Sequence, residues 1–204
     1  AAVSEEENSG EEDITRALFT AGAVGRIVAE KASIAGAVGG CQAECGTACG
    51  MAAAALSSDR RHDRGNGACL CPCRQEHLGL VCDPVGGLVE VPCVKRNAFH
   101  AVHALTSVEM VMSGIRSVIP PDEVIEALND VGRRLPVELR ETSLAGLAMT
   151  PTGRRINKSW KNAPQGVIYS NKEAAESELA WIRSFFAEEI DVFFYKSPKL
   201  CQNK

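Results

Sequence analysis

Two cysteines, Cys82 and Cys93, stand eleven positions apart in VCDPVGGLVEVPCVKRNA, residues 81–98. Asp83, Pro84, Gly86, Gly87 and Pro92 lie between them and forbid regular helix, so the thiols sit at the two shoulders of a loop. A third thiol, Cys41 in GGCQAECGTACGMAAAAL, follows Gly39 and Gly40, another permissive backbone corner. Cysteines flanked by glycine and proline on loops suit a soft metal better than a hydrophobic core.

Three further thiols crowd residues 57–77, SSDRRHDRGNGACLCPCRQEH, where Cys69, Cys71 and Cys73 fall within five positions. They could form a zinc-binding interaction module. Alternate spacing with Pro72 inside departs from the usual zinc arrangements, however, and a plain basic loop is the other reading. His100 and His103 could serve as acid and base, but no carboxylate at metal-ligand spacing accompanies them, and a structural role on a helix is expected. Glu141 and Thr142 read equally as active-site groups or ordinary caps. Cys45 and Cys49 follow Cys41 on one helical face and are expected to be small core residues.

Positioning these groups falls to helices. Aromatics are only 5% of the 204 residues, while alanine and glycine abound, a balance that favours closely packed helices over strands. The expected fold class is all-α, a mainly helical domain with glycine- and proline-rich ligand loops and a short C-terminal tail of mixed character. A helix is expected over residues 13–31, where Ile14, Leu18, Ala21, Val24 and Val28 recur at helical spacing behind Glu11, Glu12 and Asp13. A small-residue loop over 33–40 leads to a second helix, 41–56. A third, 96–113, should turn Phe99, Val102, Leu105 or Thr106, Val108 and Met112 inward. A fourth starts at Pro120 and Pro121, carries Val124, Ile125 and Leu128, and ends near Gly132. Residues 138–156 read as loop. Beyond about residue 161, a helix over 173–189 and a strand-like 192–195 carry no chemistry.

A net charge of -4 leaves no basic footprint for nucleic acid. No apolar run reaches the roughly 20 residues of a membrane helix, and the acidic start is unlike a signal peptide, so a cytosolic protein is expected. Nine cysteines in a reducing compartment point to metal or redox chemistry rather than disulfides. The start at Ala1, with no initiator methionine, implies missing upstream sequence.

GGCQAECG paired with LGLVCDPVGGLVEVPCVKRNA, and followed by ETSLAGLAMTPTGRRI, resembles the catalytic alpha part of the iron–sulfur L-serine dehydratases, also called L-serine deaminases. The resemblance covers residues 1–160, with one interruption, and leaves 161–204 outside it. It implies a mainly helical domain in which Cys41, Cys82 and Cys93 hold a four-iron four-sulfur cluster. Three protein thiolates leave one iron open as a Lewis acid for the substrate hydroxyl. The implied reaction converts L-serine to pyruvate and ammonia, after a base removes the Cα proton. Gln42, Arg96 and Asn97, beside the matched cysteines, are candidates to orient substrate or hydrogen-bond the cluster, or to serve only their loops. The family also implies a segment upstream of this chain and a beta domain or subunit, so a homo- or hetero-oligomer is expected and catalysis should need those parts. Two positions depart from the pattern: Val38 replaces a usual acidic residue, and Cys45 a small aliphatic.

The interruption is residues 57–77, where the family pattern would be an alanine-rich helix opening on threonine-glycine-glycine. Read one nucleotide later, codons for this tract can spell TGGTTE, a methionine and HAFALAVKNI, joining LGLVCDP in register. A compensated frameshift is therefore expected here. As written, its Arg60, Arg61, Arg64 and Arg74 should keep the segment in solvent and deprive Cys41 of support.

Overall fold

The computed structural model describes residues 2–6, 8–59, 73 and 75–161. The chain divides into two compact units, Ala1–Lys158 and Ser159–Lys204. The architecture described here is that of the first. The expected helix over 173–189 and strand over 192–195 lie outside the described residues.

The elements are α1 (Ala2–Glu6), α2 (Glu11–Lys31), α3 (Gly36–Gly39), α4 (Cys41–Asp59), α5 (Cys93–Met112), α6 (Pro121–Arg134) and α7 (Pro151–Lys161), with short 3-10 turns at Val85–Gly87, Val137–Leu139 and Gly146–Met149. Among the described residues there is no strand, as an all-α fold requires. A parallel bridge nevertheless pairs Cys82 with Arg140.

Helix α4 is the axis of the unit. It packs against both α2 and α5, and α6 packs on α3 and α4. Its apolar residues are small, so neighbouring backbones approach closely. Cys49 and Ala53 meet Ala104 and Val108 of α5 in the core, with Cys73 inserted among them. The expected inward face of α5 is corrected at two positions: Val108 is buried as expected, but Phe99 is 66% and Met112 40% exposed, and the other buried positions are Cys93, His100, Ala104 and Ser107. Small or polar side chains make the contact because α4 offers only a shallow surface.

Helix α6 buries Val124, Ile125 and Leu128, as its periodicity predicts. Pro121 sits at its first turn, where a missing N–H costs nothing. At its other end the Arg140 guanidinium donates to the carbonyl of Arg133 at 2.6 Å and to that of Leu135, satisfying acceptors the helix leaves open. Three helices escaped the sequence reading, the first being α1 within the acidic lead. The expected 33–40 loop contains α3, and the expected 138–156 loop gives way to α7 at Pro151. There the Gly153 N–H donates to Thr150 Oγ1 at 3.1 Å, an N-cap followed by proline at the first position.

The tract over 57–77 is not simply solvated. Ser57, Ser58, Cys73 and His77 are buried. Cys73 donates to Ser107 Oγ at 3.0 Å, and Gln75 Nε2 to Ser117 Oγ at 2.9 Å. Arg60, Arg61, Arg64 and Arg74 lie outside the described residues, as do Cys69 and Cys71.

Candidate metal centre

Cys41 is the first residue of α4 and Cys93 the first of α5, so two of the three matched thiols head packed helices instead of sitting on loops. Cys82 lies between them in sequence and is fixed by the bridge: its N–H donates to the Leu139 carbonyl at 2.9 Å, and its carbonyl accepts from the Glu141 N–H at 2.8 Å. All three side chains are buried, Cys41 at 3%, Cys82 at 4% and Cys93 at 7% exposure.

The Cys41 sulfur accepts hydrogen bonds from the Cys45 and Cys82 thiols and lies 3.7 Å from Arg96 Nη1. These donors, Cys45 first, hold the Cys41 thiol far below its ordinary range against the opposing effect of burial. The same hydrogen bonding pushes Cys45 and Cys82 up, and burial followed by the charge on Cys41 raises Cys93. Among the four thiols, Cys41 is the one whose surroundings favour the charged form. Asn97 Oδ1 lies 3.4 Å from the half-buried Cys45 sulfur and is the alternative acceptor for its single thiol proton.

Arg96 ties the centre to its walls. Its Nη1 donates to the Val81 carbonyl at 2.9 Å and stands 2.9 Å from Asp83 Oδ1. Burial opposes its charge, but Asp83 and then Cys41 stabilise it. Asp83 Oδ2 in turn accepts from the Leu147 N–H at 2.7 Å. Gly146, at φ 61°, lies so close to the Asp83 carboxylate that a side chain there would collide with it.

Gln42 is wholly buried and committed at both ends of its amide: Nε2 donates to the Leu128 carbonyl at 3.0 Å, and Oε1 accepts from the Gly79 N–H at 2.8 Å. It rivets α6 and the segment before Cys82 to α4. Together with the Gln42 N–H donating to the Leu80 carbonyl at 3.1 Å, this supports Cys41 despite the unusual tract over 57–77 that follows it.

On the solvent side, Glu44 and Glu141 face each other across Gly36. Burial, followed by the charges of Glu141 and Cys41, raises the Glu44 carboxyl above its ordinary value. Thr142, by contrast, is a turn cap, donating to the Glu138 carbonyl at 2.8 Å. His100 and His103 pack with His77, their ring centroids separated by 4.2 to 6.0 Å.

Glu44, Cys45 and Asp83 are the members that sequence reasoning missed. Each carried a signal: Glu44 and Cys45 lie one helical turn from Cys41, and Asp83 directly follows Cys82.

Among the described residues no three His, Cys, Asp or Glu side chains form a cage for a single metal ion. A cluster differs from an ion, because its own inorganic atoms separate the protein sulfurs. Three buried thiols from distant stretches, with a guanidinium beside the one that ionises most readily, are a soft, charge-compensated donor set that fits an iron–sulfur group.

The family profile described as serine dehydratase alpha chain matches residues 1–148. The chain is 52% identical over 158 residues to the probable L-serine dehydratase, alpha chain, of Bacillus subtilis, covering 77% of this chain and 53% of that protein. It is 54% identical over 140 residues to the probable L-serine dehydratase, alpha chain, of Latilactobacillus sakei, covering 68% and 66%. Against the L-serine dehydratase, alpha chain, of Peptoniphilus asaccharolyticus, identity is 39% over 162 residues, covering 78% and 55%. The matches thus span roughly half to two thirds of the relatives' own lengths. On the profile match over most of its length, the chain belongs to the serine dehydratase alpha chain family.

Proposed function

We propose that the chain is the cluster-binding part of an L-serine dehydratase, an ammonia-lyase that converts L-serine to pyruvate and ammonia. The observation that carries this reading is the burial of Cys41, Cys82 and Cys93, with the Cys41 sulfur beside the Cys82 thiol and 3.7 Å from the Arg96 guanidinium. The names of the relatives supply the substrate. Their designation as alpha chains supports a complementary beta chain or domain as partner; the cysteine-rich sequence is what suggests a cytosolic setting.

Cys41, Cys82 and Cys93 would hold a four-iron four-sulfur cluster. When bound, the cluster supplies a Lewis acid that helps the substrate hydroxyl leave. The chain's own residues do the rest of the preparation. Arg96 offsets the negative charge that ionised thiolates bring into a buried site, and Asp83 fixes its guanidinium. Gln42 and the backbone it grips hold the head of α4 in place. Asn97 orients the Cys45 thiol beside Cys41. Loss of water from serine gives aminoacrylate, which tautomerises and is hydrolysed by water to pyruvate and ammonia.

Anaerobic reconstitution with iron and sulfide tests the proposal. The expected result is a brown protein holding four irons per chain, which forms pyruvate from L-serine once the beta part and the remaining alpha sequence are supplied. Cys41→Ser, Cys82→Ser and Cys93→Ser should each abolish iron retention. Colourless protein with stoichiometric zinc would instead favour a zinc-binding module, and protein that retains neither metal would mark an inactive fragment.

A further inference from the structure

We propose that the outward face of α2 is the contact between two copies of this chain, set antiparallel about a two-fold axis near Gly22. The inference concerns assembly and stands apart from the chemistry at the thiols.

Helix α2 has two apolar sides. One is committed within the unit: Val28 is buried, Gly25 lies against the Met51 side chain of α4, and Thr20 Oγ1 donates to Ser58 Oγ at 3.2 Å. The other meets solvent. Leu18 is 67% and Phe19 76% exposed, with Gly22, Ala23 and Ala29 beside them and the exposed Ile14 and Ile27 at the two borders. At about 100° per residue these positions share the side of the helix turned away from Thr20, Val24 and Val28. Large apolar side chains gathered on one such face mark a contact surface.

The face is self-complementary, and that selects its occupant. A Cβ built on Gly22 meets nothing within 4 Å, so the helix carries a dip one turn from its protruding Phe19. Reversing a second copy about Gly22 sets each Phe19 into the Gly22–Ala23 dip of the other, and one pairing serves both copies. A parallel pair would oppose Phe19 to Phe19 and leave both dips empty. Charge favours the same direction. Glu11 and Glu12 are exposed in the first turn, while Arg26, exposed toward the other end, is tied only in a surface pair with Glu30. Such a pair is weak, so Arg26 is available to a second acid. Antiparallel alignment carries each Arg26 toward the acidic first turn of the other copy and opposes the two helix dipoles favourably. Parallel alignment would bring acid against acid.

Sedimentation equilibrium of the full chain, with and without reconstituted iron, is the test. The expected result is a monomer–dimer equilibrium. Phe19→Glu, which puts a charge in the contact, and Gly22→Leu, which fills the dip, should each weaken the dimer about tenfold or more. Val118→Glu, at an almost fully exposed apolar position outside α2, should leave it within about twofold. Gly22→Leu separates fit from stickiness, because indiscriminate apolar association would strengthen with the added side chain. All three positions are exposed, so the far-UV circular dichroism of each variant should match that of the parent. A chain that stays monomeric up to about 100 µM in both states overturns the proposal, as does a dimer that withstands both α2 variants or that Gly22→Leu tightens. So does a monomer that binds an added beta chain and loses that binding in Phe19→Glu, which would give the face to a different subunit.

Discussion

Arg96 and Asp83 show how a single pair can hold a site and a fold together. Asp83 is almost fully buried, joined through one oxygen to Arg96 and through the other to the Leu147 N–H. Removing it strands a largely buried guanidinium, which is more damaging than losing an exposed pair. Asp83→Ala should lower unfolding stability by about 3 kcal/mol in urea titration, while Lys31→Ala, which breaks the exposed Lys31–Asp122 contact, should cost less than about 1 kcal/mol. Similar costs for the two would mean that Arg96 finds solvent once its partner is gone. In the sequence, Asp83 read only as one of several residues that stop a helix. Its electrostatic role depends on Arg96 lying in space beside it, which spacing along the chain does not reveal.

The helices were legible where large side chains recur. The face of α6 carrying Val124, Ile125 and Leu128 followed directly from periodicity, and each of these buries enough surface for about 2 kcal/mol. Leu128→Ala should cost about 3 kcal/mol, measured as a lower denaturant midpoint. It should also loosen Gln42, whose amide leans on the Leu128 carbonyl. A midpoint unchanged from the parent would show that α6 is dispensable to the core. On α5 the expectation held at Val108 but not at Phe99 and Met112, whose size suggests burial that Ala104 and Ser107 take instead. Against an alanine-, glycine- and cysteine-rich α4, close approach favours the small residues. Helix α7 was missed for a different reason. Thr150 and Pro151 mark a helix start, but Pro151 and Gly153 are also residue types that break helices. The three thiols were found from their flanking glycines and prolines, although Cys41 and Cys93 turn out to begin helices, the position next in sequence to those breakers.

At the scale of the whole unit, composition was enough for the all-α class, since few aromatics and many small residues leave little to build a sheet. The same small-residue packing sets a sensitivity to acid. His100 is buried between α4 and α5, and burial, then His77 and His103, lowers its pKa from 6.5 to about 4. Cys41 and Arg96 also act on it, in opposite directions. Above about pH 6.5 the imidazole is neutral in both folded and unfolded chains and costs nothing. As pH falls toward 4 only the unfolded chain takes up the proton readily, so stability declines, by up to about 3 kcal/mol from this group. Urea unfolding of His100→Leu at pH 7.5 and pH 5 should show a smaller loss than the parent protein. Equal losses would assign the acid sensitivity to other groups. Determining the coding DNA over residues 57–77 bears on the same core, because His77 and Cys73 come from that tract.

Cys41 and Cys93 head the two helices that press together at the centre, and Cys82 sits on a bend stapled to a third region. Anything grasped by all three would therefore work as a clasp across the polypeptide, adding its affinity to the folding equilibrium. Iron starvation would then first appear as faster proteolysis, making the lifetime of the chain a gauge of nutrient supply.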